Sequence, residues 1–548
     1  MASVIFRLML GVLLITLFVS TFLREREKKA ARRGKIKNGF GSAEDSLRDN
    51  TVFDITPALY DQMSDTFKDC RVIDDITVSD LGLRDIYRRM NRCLTSAGED
   101  MLYCLFRLYG HDSGCRDDIR LFTEDADQAV ELLYILDGYG IHKDCDDLKL
   151  IMSLKDAKTH SIVYDILTLA GLALSVVLVS FAPVYGFIAL ILMLIICIWT
   201  YFTGKRAMDD NLKGLALSLK LIVCAKKLLE KGRVEFLAYS ELFACLKGNF
   251  LIPYKDRSAS DPLSVILDYV RIITHVDLIA YNRKVSMLKK HVDKLICLYS
   301  DIGRLDASLA VASYICNKPH CEATVTDKCL ISARAVYHPL VKDPVANDIS
   351  SERGMLITGS NASGKSTFLK AVGINVLFAQ SFGFAFAGSF ETGRFSLYTS
   401  MALNDNILGG ESYYVVEAKS IKRICDAAAD GMCLCIIDEV LRGTNTIERI
   451  AASYRILKYL CMPDVLCFAA THDIELAHLL KEDMDLYHFT EEINDDNVTF
   501  PFVIQKGYSD KTNAIRLLAM LGFDENIVSS ANSLVASYKE TGKWVNEQ

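Results

Sequence analysis

The chain has 548 residues, of which 51% are hydrophobic and 24% are charged, and its formal net charge is −7. This length is enough for about three or four folding units, and the composition excludes global disorder and a small disulfide-stapled fold. The net charge argues against a strongly basic surface that holds nucleic acid, although it leaves room for a locally basic groove. The mean hydropathy of +0.20 is high for a soluble protein, and two segments account for the excess.

The first apolar segment, Val4 to Leu23, is long enough to cross a hydrocarbon layer of about 30 Å. A dense cluster of lysines and arginines follows directly, from Arg24 to Lys37. A cleavable signal peptide has the reverse order, with its basic residues before the apolar run. We therefore predict a retained anchor at residues 1–23, and the positive-inside rule places the rest of the chain in the cytoplasm.

The second apolar segment runs from Ile162 to Phe202 and is about twice the length of one span. Ala182-Pro183 interrupts it near the middle, and basic residues flank both ends. A buried hairpin of a soluble protein normally has a charged, solvated face, but no Asp, Glu, Lys or Arg occurs from Ile166 to Phe202. We predict a transmembrane helical hairpin at 161–203, three transmembrane helices in all, and a multi-pass membrane location.

The rest of the chain divides by pattern into a linker, a helical core and a C-terminal α/β domain. Residues 24–71 are basic and polar and are predicted as a linker. Residues 72–160 and 204–329 have apolar residues at helical spacing and are predicted as two parts of one helical core. From 330 to 548, apolar strand-like runs alternate with helical ones, which is typical of a mostly parallel sheet covered on both faces.

A phosphate-binding pattern, G-x-x-x-x-G-K-[ST], stands between a predicted strand that ends at Thr358 and a helix that starts near Thr367. Its members are Gly359, Ser360, Asn361, Ala362, Ser363, Gly364, Lys365 and Ser366. Glycine at both ends permits the backbone to wrap phosphate oxygens, and the helix N-terminus adds positive potential. We expect Lys365 to reach the β- and γ-phosphates and the Ser366 hydroxyl to ligate Mg²⁺.

Two further apolar strands end in residues that suit the same chemistry. The first ends in Asp438-Glu439, where the aspartate can hold Mg²⁺ through water and the glutamate can polarise an attacking water. The second is followed by Thr471-His472, and His472 stands where a side chain can sense the γ-phosphate. Between these elements and the phosphate loop, the run from Leu408 to Tyr413 suits a loop presented to another subunit's nucleotide, with an ordinary turn as the alternative.

Together these residues resemble the MutS family of DNA mismatch-repair ATPases, which are relatives of the ABC ATPases. Residues Ile73 to Leu108, including Asn91 and Gly98, loosely resemble the start of that family's helical core. The strong part of the resemblance is carried by Tyr337 to Leu340, Val345 to Ile349, the phosphate loop, Gly410-Glu411-Ser412 with Glu417, Asp438-Glu439, Arg442 to Thr446, Thr471-His472 and the tail from Lys506 to Ala531.

The resemblance implies a P-loop ATPase of the ABC/MutS type that uses ATP and Mg²⁺ and works as a homodimer through C-terminal helices. In such a dimer, Ser412 of one subunit would cap the ATP on the other. Glu439, His472 and Asn361 would be catalytic, with Asn361 in contact with the γ-phosphate, and His338 and Thr367 would lie close to the nucleotide. The helices of 204–329 would then act as levers and a clamp that closes around DNA when ATP binds.

The chain also departs from that family. No space between the predicted anchor and the helical core holds the family's mismatch-reading domain, and the loop reads Asn-Ala-Ser-Gly-Lys where mismatch sensors usually read Asn-Met-Gly-Gly-Lys. We therefore expect a membrane-anchored, MutS-like ATPase that binds DNA in mismatch repair or a related DNA transaction, with a separate recognition protein as a further partner. The alternative is a membrane ATPase that transduces nucleotide-driven dimerisation through its hairpin without DNA.

Phosphate contact separates these two functions, because a DNA clamp needs cations on its inner face. The candidates are Lys284, Lys289, Lys290 and Lys294, although such a run is more often a solvated helix face. An ABC-type transporter is disfavoured, since three spans are few for a transport pathway and no charged residue lies deep in the hairpin.

Overall fold

The computed structural model divides the chain into two compact units. The helical unit comprises residues 1–66, 90–104 and 117–317, and the α/β unit comprises residues 67–89, 105–116 and 318–548. The residues that the structure describes are 20, 23–24, 26–42, 53, 55–66, 70–110, 114–157, 162–207, 209–246, 269–270, 272–360, 363–401, 413–442, 444–494, 497–509, 514–542 and 544.

The helical unit has helices throughout its described part. Residues 26–39 are helical, as is Ala58–Thr66, so a good part of the predicted linker at 24–71 is ordered helix. The remaining helices are Ser96–Arg107, Cys115–Glu124, Ala126–Leu136, Asp147–Ser153, Ile162–Phe181, Pro183–Ala207, Asp209–Glu230, Val276–Leu288 and Val292–Ile315, with 3-10 turns at Val234–Leu246 and Lys289–His291.

The helix Val292–Ile315 is the centre of the helical unit, and its residues from Leu305 to Ile315 are all buried. Asp306 on this helix accepts hydrogen bonds from the backbone N–H of Thr95, at 2.8 Å, and from the Thr95 hydroxyl, at 2.6 Å. Glycine permits the close approach: a methyl group on Gly98 would lie 2.2 Å from an Asp306 carboxylate oxygen. Small residues and a buried carboxylate therefore hold the start of the helix Ser96–Arg107 against the central helix.

The predicted hairpin is a pair of antiparallel helices. Among the described residues, two helices are long and apolar enough to cross a membrane, Val163–Phe181 and Pro183–Lys205. They meet at Ala182, next to the predicted Pro183 break, and their apolar side chains are largely exposed, as at Phe181 (84%) and Trp199 (67%). The first of the three predicted spans, residues 1–23, lies almost entirely outside the described residues, so it stays a prediction.

The α/β unit contains a mostly parallel sheet, as the apolar strands predict. Its six described strands lie in the order Ile504–Lys506, Asp485–Phe489, Met355–Thr358, Val465–Thr471, Cys433–Asp438 and Ser396–Ser400, and all neighbours are parallel except the first pair. The central strands are buried along almost their whole length because helices cover both faces. Those helices include Lys365–Phe382, Tyr413–Ala428, Thr446–Tyr459 and Ile474–Leu480.

Beside this sheet the unit holds strands that sequence patterns did not predict. A second sheet of five described strands has the order Asn347–Ser351, Ile331–Val336, Ser389–Gly393, Cys321–Thr326 and Phe384–Ala385. The remaining pairs are Arg71–Val72 with Leu108–Tyr109 and Glu492–Asn494 with Asn497–Thr499, and the C-terminal helices are Ala514–Met520 and Glu525–Thr541.

The boundary of the α/β unit differs from the predicted one at residue 330. The unit begins at Lys318 and takes in residues 67–89 and 105–116, with the helices Asp75–Asp80 and Leu83–Met90. The buried carboxylate of Asp80 accepts a hydrogen bond from the Thr399 hydroxyl at 2.7 Å, which ties one of these helices to the edge strand. A helical pattern predicts a helix but not its packing partner. The pattern of these residues therefore favours the helical core, although they pack in the α/β unit.

Candidate nucleotide site

The phosphate loop joins the buried strand Met355–Thr358 to the helix Lys365–Phe382. Gly359 (φ +144°) and Gly364 (φ +106°) take left-handed conformations that only glycine adopts without strain. A side chain is excluded at Gly359 as well, because a Cβ would lie 2.9 Å from the carbonyl oxygen of Phe489. The helix begins at Lys365, two residues before the predicted start, so its N-terminal N–H groups face the loop and can bind phosphate.

Lys365 folds back onto the loop. Its ammonium donates hydrogen bonds to the carbonyl oxygens of Gly359, at 2.8 Å, and Ser360, at 2.7 Å. Burial lowers the pKa of Lys365 to about 8, while the nearby carboxylates of Asp438 and Glu439 act in the opposite direction. The lysine is therefore a partly desolvated cation that two neutral carbonyl oxygens satisfy, and phosphate oxygens would be stronger partners.

The Ser366 hydroxyl donates a hydrogen bond of 2.5 Å to a carboxylate oxygen of Asp438. These two residues come from the phosphate-loop helix and from the end of the strand Cys433–Asp438. Mg²⁺ prefers oxygen ligands and is usually held by one or two carboxylates together with substrate phosphates and water. A hydroxyl and a carboxylate beside the phosphate loop fit that ion, so Ser366 and Asp438 are the residues that would hold it.

Glu439 follows Asp438, and two side chains hold its carboxylate. His472 contacts its carboxylate through Nε2, and Arg442 Nε lies 2.8 Å from the other carboxylate oxygen. The hydrogen bond from His472, followed by the charge of Arg442, lowers the pKa of Glu439. His472 Nδ1 lies 2.8 Å from the carbonyl oxygen of Gly359, so this histidine links the glutamate to the phosphate loop.

Sheet register explains why these residues meet. Thr358 pairs with Thr471, and Asp438 pairs with Ala470 on the other side of the same strand. Three parallel strands therefore end at one edge of the sheet, and the residue after each strand points to the same place. The backbone N–H of Glu439 also donates to the carbonyl oxygen of Ala470 at 2.9 Å, which continues the ladder to the first residue beyond the strand.

A cavity of about 590 Å³ lies over these groups. His338 is in its wall, and burial, with the charge of Lys370 as a smaller cause, lowers the pKa of His338 to about 4. Its Nδ1 accepts the backbone N–H of Leu340 at 3.2 Å, so the ring is neutral with its proton on Nε2. The rest of the wall is largely apolar and includes Val336, Tyr337, Val341, Pro344, Val345, Phe368, Phe489 and Phe502.

Asn347 positions one side of this wall. Its side-chain amide donates to the carbonyl oxygen of Phe502 at 3.0 Å and accepts the backbone N–H of Ile504 at 2.8 Å. The NH₂ group and the carbonyl oxygen of this buried side chain therefore both have hydrogen-bond partners in one distant segment. Phe502 itself has φ +56°, a conformation that a bulky residue adopts only when its surroundings hold it there.

Most of the predicted site residues lie around the one cavity. Ser360, Ser363, Gly364, Lys365, Ser366, Thr367, Asp438, Glu439, His472 and His338 line it, and Gly359 contributes the carbonyl oxygen that Lys365 and His472 share. Asn361, Ala362 and Ser412 lie outside the described residues, so their predicted roles stay predictions. Arg442 and Asn347 belong to the segments that resemble the MutS family, but the sequence predicts no role for them. Phe489 and Phe502 belong to no motif, so the sequence gives no sign that they line the cavity.

The proposed clamp lysines are placed less favourably. Lys284 is buried, with only 4% of its surface exposed, and donates to the carbonyl oxygen of Cys245. Lys294 pairs with Glu241, and Lys289 donates to the carbonyl oxygen of Ala157 at 3.3 Å. Lys284 is therefore not available as a DNA-contacting candidate, because its ammonium is turned into the protein.

Comparison with known proteins identifies the part of the chain that holds this site. Residues 355–539 match the family model of MutS domain V. MutS domain V is an ATPase domain, so the match agrees with the geometry at Lys365, Asp438 and Glu439. The match begins at the strand before the phosphate loop and ends within the helix Glu525–Thr541.

The chain is also similar to complete mismatch-repair proteins. It is 28% identical to the DNA mismatch repair protein MutS of Persephonella marina over 250 residues, which are 44% of this chain and 29% of the relative. It is 31% identical to the MutS of Chlorobaculum tepidum over 43% of this chain and 28% of the relative. With the MSH3 protein of Candida glabrata, identity is 26% over 47% of this chain and 27% of the relative. The chain thus spans less than a third of the length of these curated relatives.

Proposed function

We propose that this chain is a membrane-anchored, MutS-like ATPase that hydrolyses ATP as a Mg²⁺-dependent dimer and binds DNA. One observation carries the ATPase part: Lys365, the Ser366–Asp438 pair and the Glu439–His472 pair surround one cavity at the edge of a parallel sheet. The match of this segment to MutS domain V supports the same activity. Bound Mg²⁺ would neutralise charge that develops on the phosphates.

The chain's own residues then divide the work. Lys365 exchanges two carbonyl partners for phosphate oxygens, and the N-terminus of its helix supplies further N–H donors. Glu439 is the base that orients an attacking water, and His472 and Arg442 hold its carboxylate. Each of these contacts uses one carboxylate oxygen, so both oxygens keep a lone pair that can accept a hydrogen bond from water. His472 also contacts the carbonyl oxygen of Gly359, so movement of the phosphate loop on binding would reach Glu439.

The membrane part of the proposal rests on the hairpin. Its two helices expose apolar side chains such as Leu174 (70%) and Phe181 (84%), which is expensive in water and favourable in lipid. We place the ATPase domain in the cytoplasm because basic residues flank the hairpin at both ends. Alkaline carbonate washing of membranes should leave the full chain in the pellet, and release into the supernatant would contradict this placement.

The DNA-binding part of the proposal rests on the relatives and on the helical unit. The relatives that the chain matches are DNA mismatch repair proteins, and the helices of 204–329 are long enough to form levers. Lys284 is buried and Lys294 pairs with Glu241, so a phosphate-binding face would have to use other cations of this unit. If DNA binding is found, the preferred DNA structure and the part of a separate recognition protein can then be determined.

A second function, a membrane transducer without DNA, is favoured by one contact in the helical unit. His275 is fully buried, and its Nδ1 lies 2.8 Å from a carboxylate oxygen of Asp165, at the start of the hairpin. Its Nε2 lies 3.0 Å from the carbonyl oxygen of Cys197, on the second hairpin helix. Because His275 directly precedes the helix Val276–Leu288, this contact couples both hairpin helices to a soluble helix.

One experiment tests both functions. ATPase activity of the detergent-purified full chain is measured without DNA and with homoduplex, mismatched or branched DNA, at two salt concentrations. Glu439→Ala is the control, since it should bind ATP but hardly hydrolyse it. Stimulation by DNA that fades with salt supports the DNA-binding ATPase. Activity that is indifferent to every DNA, yet lost in the variant, supports the transducer, and absence of activity in the wild-type chain refutes the ATPase.

A further inference from the structure

The turn after the strand Cys433–Asp438 holds the residue on which hydrolysis would depend. Within this turn, Glu439 (φ +64°) and Leu441 (φ +60°) both have left-handed backbone conformations. Neither is glycine, so both conformations are strained and persist only where surrounding contacts enforce them. The contacts that enforce this turn therefore also determine where the Glu439 carboxylate points.

Glu417 supplies one of these contacts from another element. It lies on the helix Tyr413–Ala428 and is only 2% exposed. Its Oε1 accepts the backbone N–H of Arg442 at 3.1 Å. Burial raises the pKa of this carboxyl group, and hydrogen bonds from the backbones of Arg442 and Leu441 act in the opposite direction. A buried carboxylate is costly, and an amide or an apolar residue would be cheaper if the site served only packing.

Arg442 connects this contact to the catalytic glutamate. Its backbone is held by Glu417, while its guanidinium lies 2.8 Å from a Glu439 carboxylate oxygen and donates to the carbonyl oxygen of Asp438 at 2.6 Å. The guanidinium therefore contacts both the side chain of Glu439 and the last residue of the strand. A shift of the Arg442 backbone would move both contacts together.

We propose that Glu417 is a positioning residue for ATP hydrolysis: its carboxylate holds the backbone of Arg442 and thereby sets the orientation of Glu439. Glu417 does not line the nucleotide cavity, so it acts through Arg442 rather than on the reacting atoms. This inference rests on the proposed ATPase function. A positioning role can be distinguished from a purely structural one, because substitution of Glu417 then lowers the turnover number and leaves nucleotide affinity unchanged.

The test uses Glu417→Ala and Glu417→Gln in the full chain. Steady-state hydrolysis gives kcat and KM, a fluorescent ATP analogue gives Kd, and thermal unfolding gives Tm. We expect Glu417→Ala to lower kcat about 100-fold, as a displacement of about 1 Å can do, while Kd changes less than about twofold. Glu417→Gln keeps an acceptor oxygen without the charge, and it should restore kcat to within about tenfold of the wild-type value.

Glu99→Gln is the matched control, because Glu99 is also a buried helical glutamate whose carboxylate accepts a hydrogen bond, from the Asn91 side-chain amide at 3.1 Å. It belongs to the helical unit and should leave kcat unchanged. Wild-type kcat in Glu417→Ala overturns the inference, and so does a parallel loss of kcat and nucleotide affinity. If Glu417→Ala does not fold, Glu417→Gln tests the inference by the same comparison of kcat with the nucleotide Kd. An inactive wild-type chain refutes the ATPase itself, whereas an active wild type with an unaffected variant refutes only the role of Glu417.

Discussion

Nucleotide affinity should depend on pH through Lys365. Burial lowers the pKa of this lysine to about 8, whereas an ordinary lysine titrates near 10.4. Only the protonated ammonium attracts phosphate. Bound phosphate oxygens favour the charged form and raise the pKa of Lys365, so binding above pH 8 takes up a proton.

The size of the effect follows from that pKa. With a value of about 8, roughly nine-tenths of the lysine is protonated at pH 7 and roughly one-tenth at pH 9. The nucleotide Kd should therefore be about tenfold weaker at pH 9 than at pH 7, which corresponds to about 1.4 kcal/mol. The decline begins near pH 8 and continues up to the raised pKa of the bound state.

The assay is titration calorimetry of the wild-type chain with a non-hydrolysable ATP analogue at pH 7, 8 and 9, because the Glu439 carboxylate contributes to the pKa of Lys365 and has to stay in place. Repeating each titration in two buffers with different ionisation enthalpies counts the protons taken up. Lys365→Arg is the control, since its guanidinium stays charged throughout this range. A Kd that is constant from pH 7 to pH 9, without proton uptake, would refute the argument.

Three further predictions follow from other contacts. Gly98→Ala should destabilise the protein by about 1–3 kcal/mol, because the added methyl group would lie 2.2 Å from Asp306; an unchanged Tm in detergent would contradict this. Asn347→Ala should raise the KM for ATP several-fold and change kcat less, since the wall segment at Phe502 loses its hydrogen bonds; steady-state kinetics measures both. His338 has a folded pKa of about 4, below its unfolded value near 6.5, so protonation opposes folding. Stability should thus fall as pH drops from 6.5 towards 4, and His338→Gln should reduce that fall; identical Tm profiles would exclude this cause.

Much of the nucleotide site could be predicted from the sequence because its parts are local. A phosphate loop is a short pattern whose glycines and lysine are adjacent in the chain, and Asp438-Glu439 follows an apolar strand directly. Parallel strands bring their carboxyl ends to one edge of a sheet. The sequence alone therefore predicts that Thr358, Asp438 and Thr471 lie close together.

The contacts that depend on distant segments could not be predicted. Phe489 and Phe502 enter the cavity wall from beyond the last recognisable motif, and Glu417 reaches Arg442 from a helix 25 residues earlier in the chain. No spacing rule connects such residues, because the contact exists only after the sheet and its covering helices have packed. The same limit explains why the packing of residues 67–89 in the α/β unit and the burial of Lys284 could not be predicted.

The sequence by itself determined which segments are apolar enough to leave water and which residues can bind phosphate, because hydropathy and local motifs are properties of neighbouring residues. Only the tertiary structure decided that Glu439 is held by His472 and Arg442, that Lys365 is desolvated enough to lower its pKa, and that Lys284 turns inward. Burial and charge pairing depend on groups far apart in the chain, and packing alone brings those groups together.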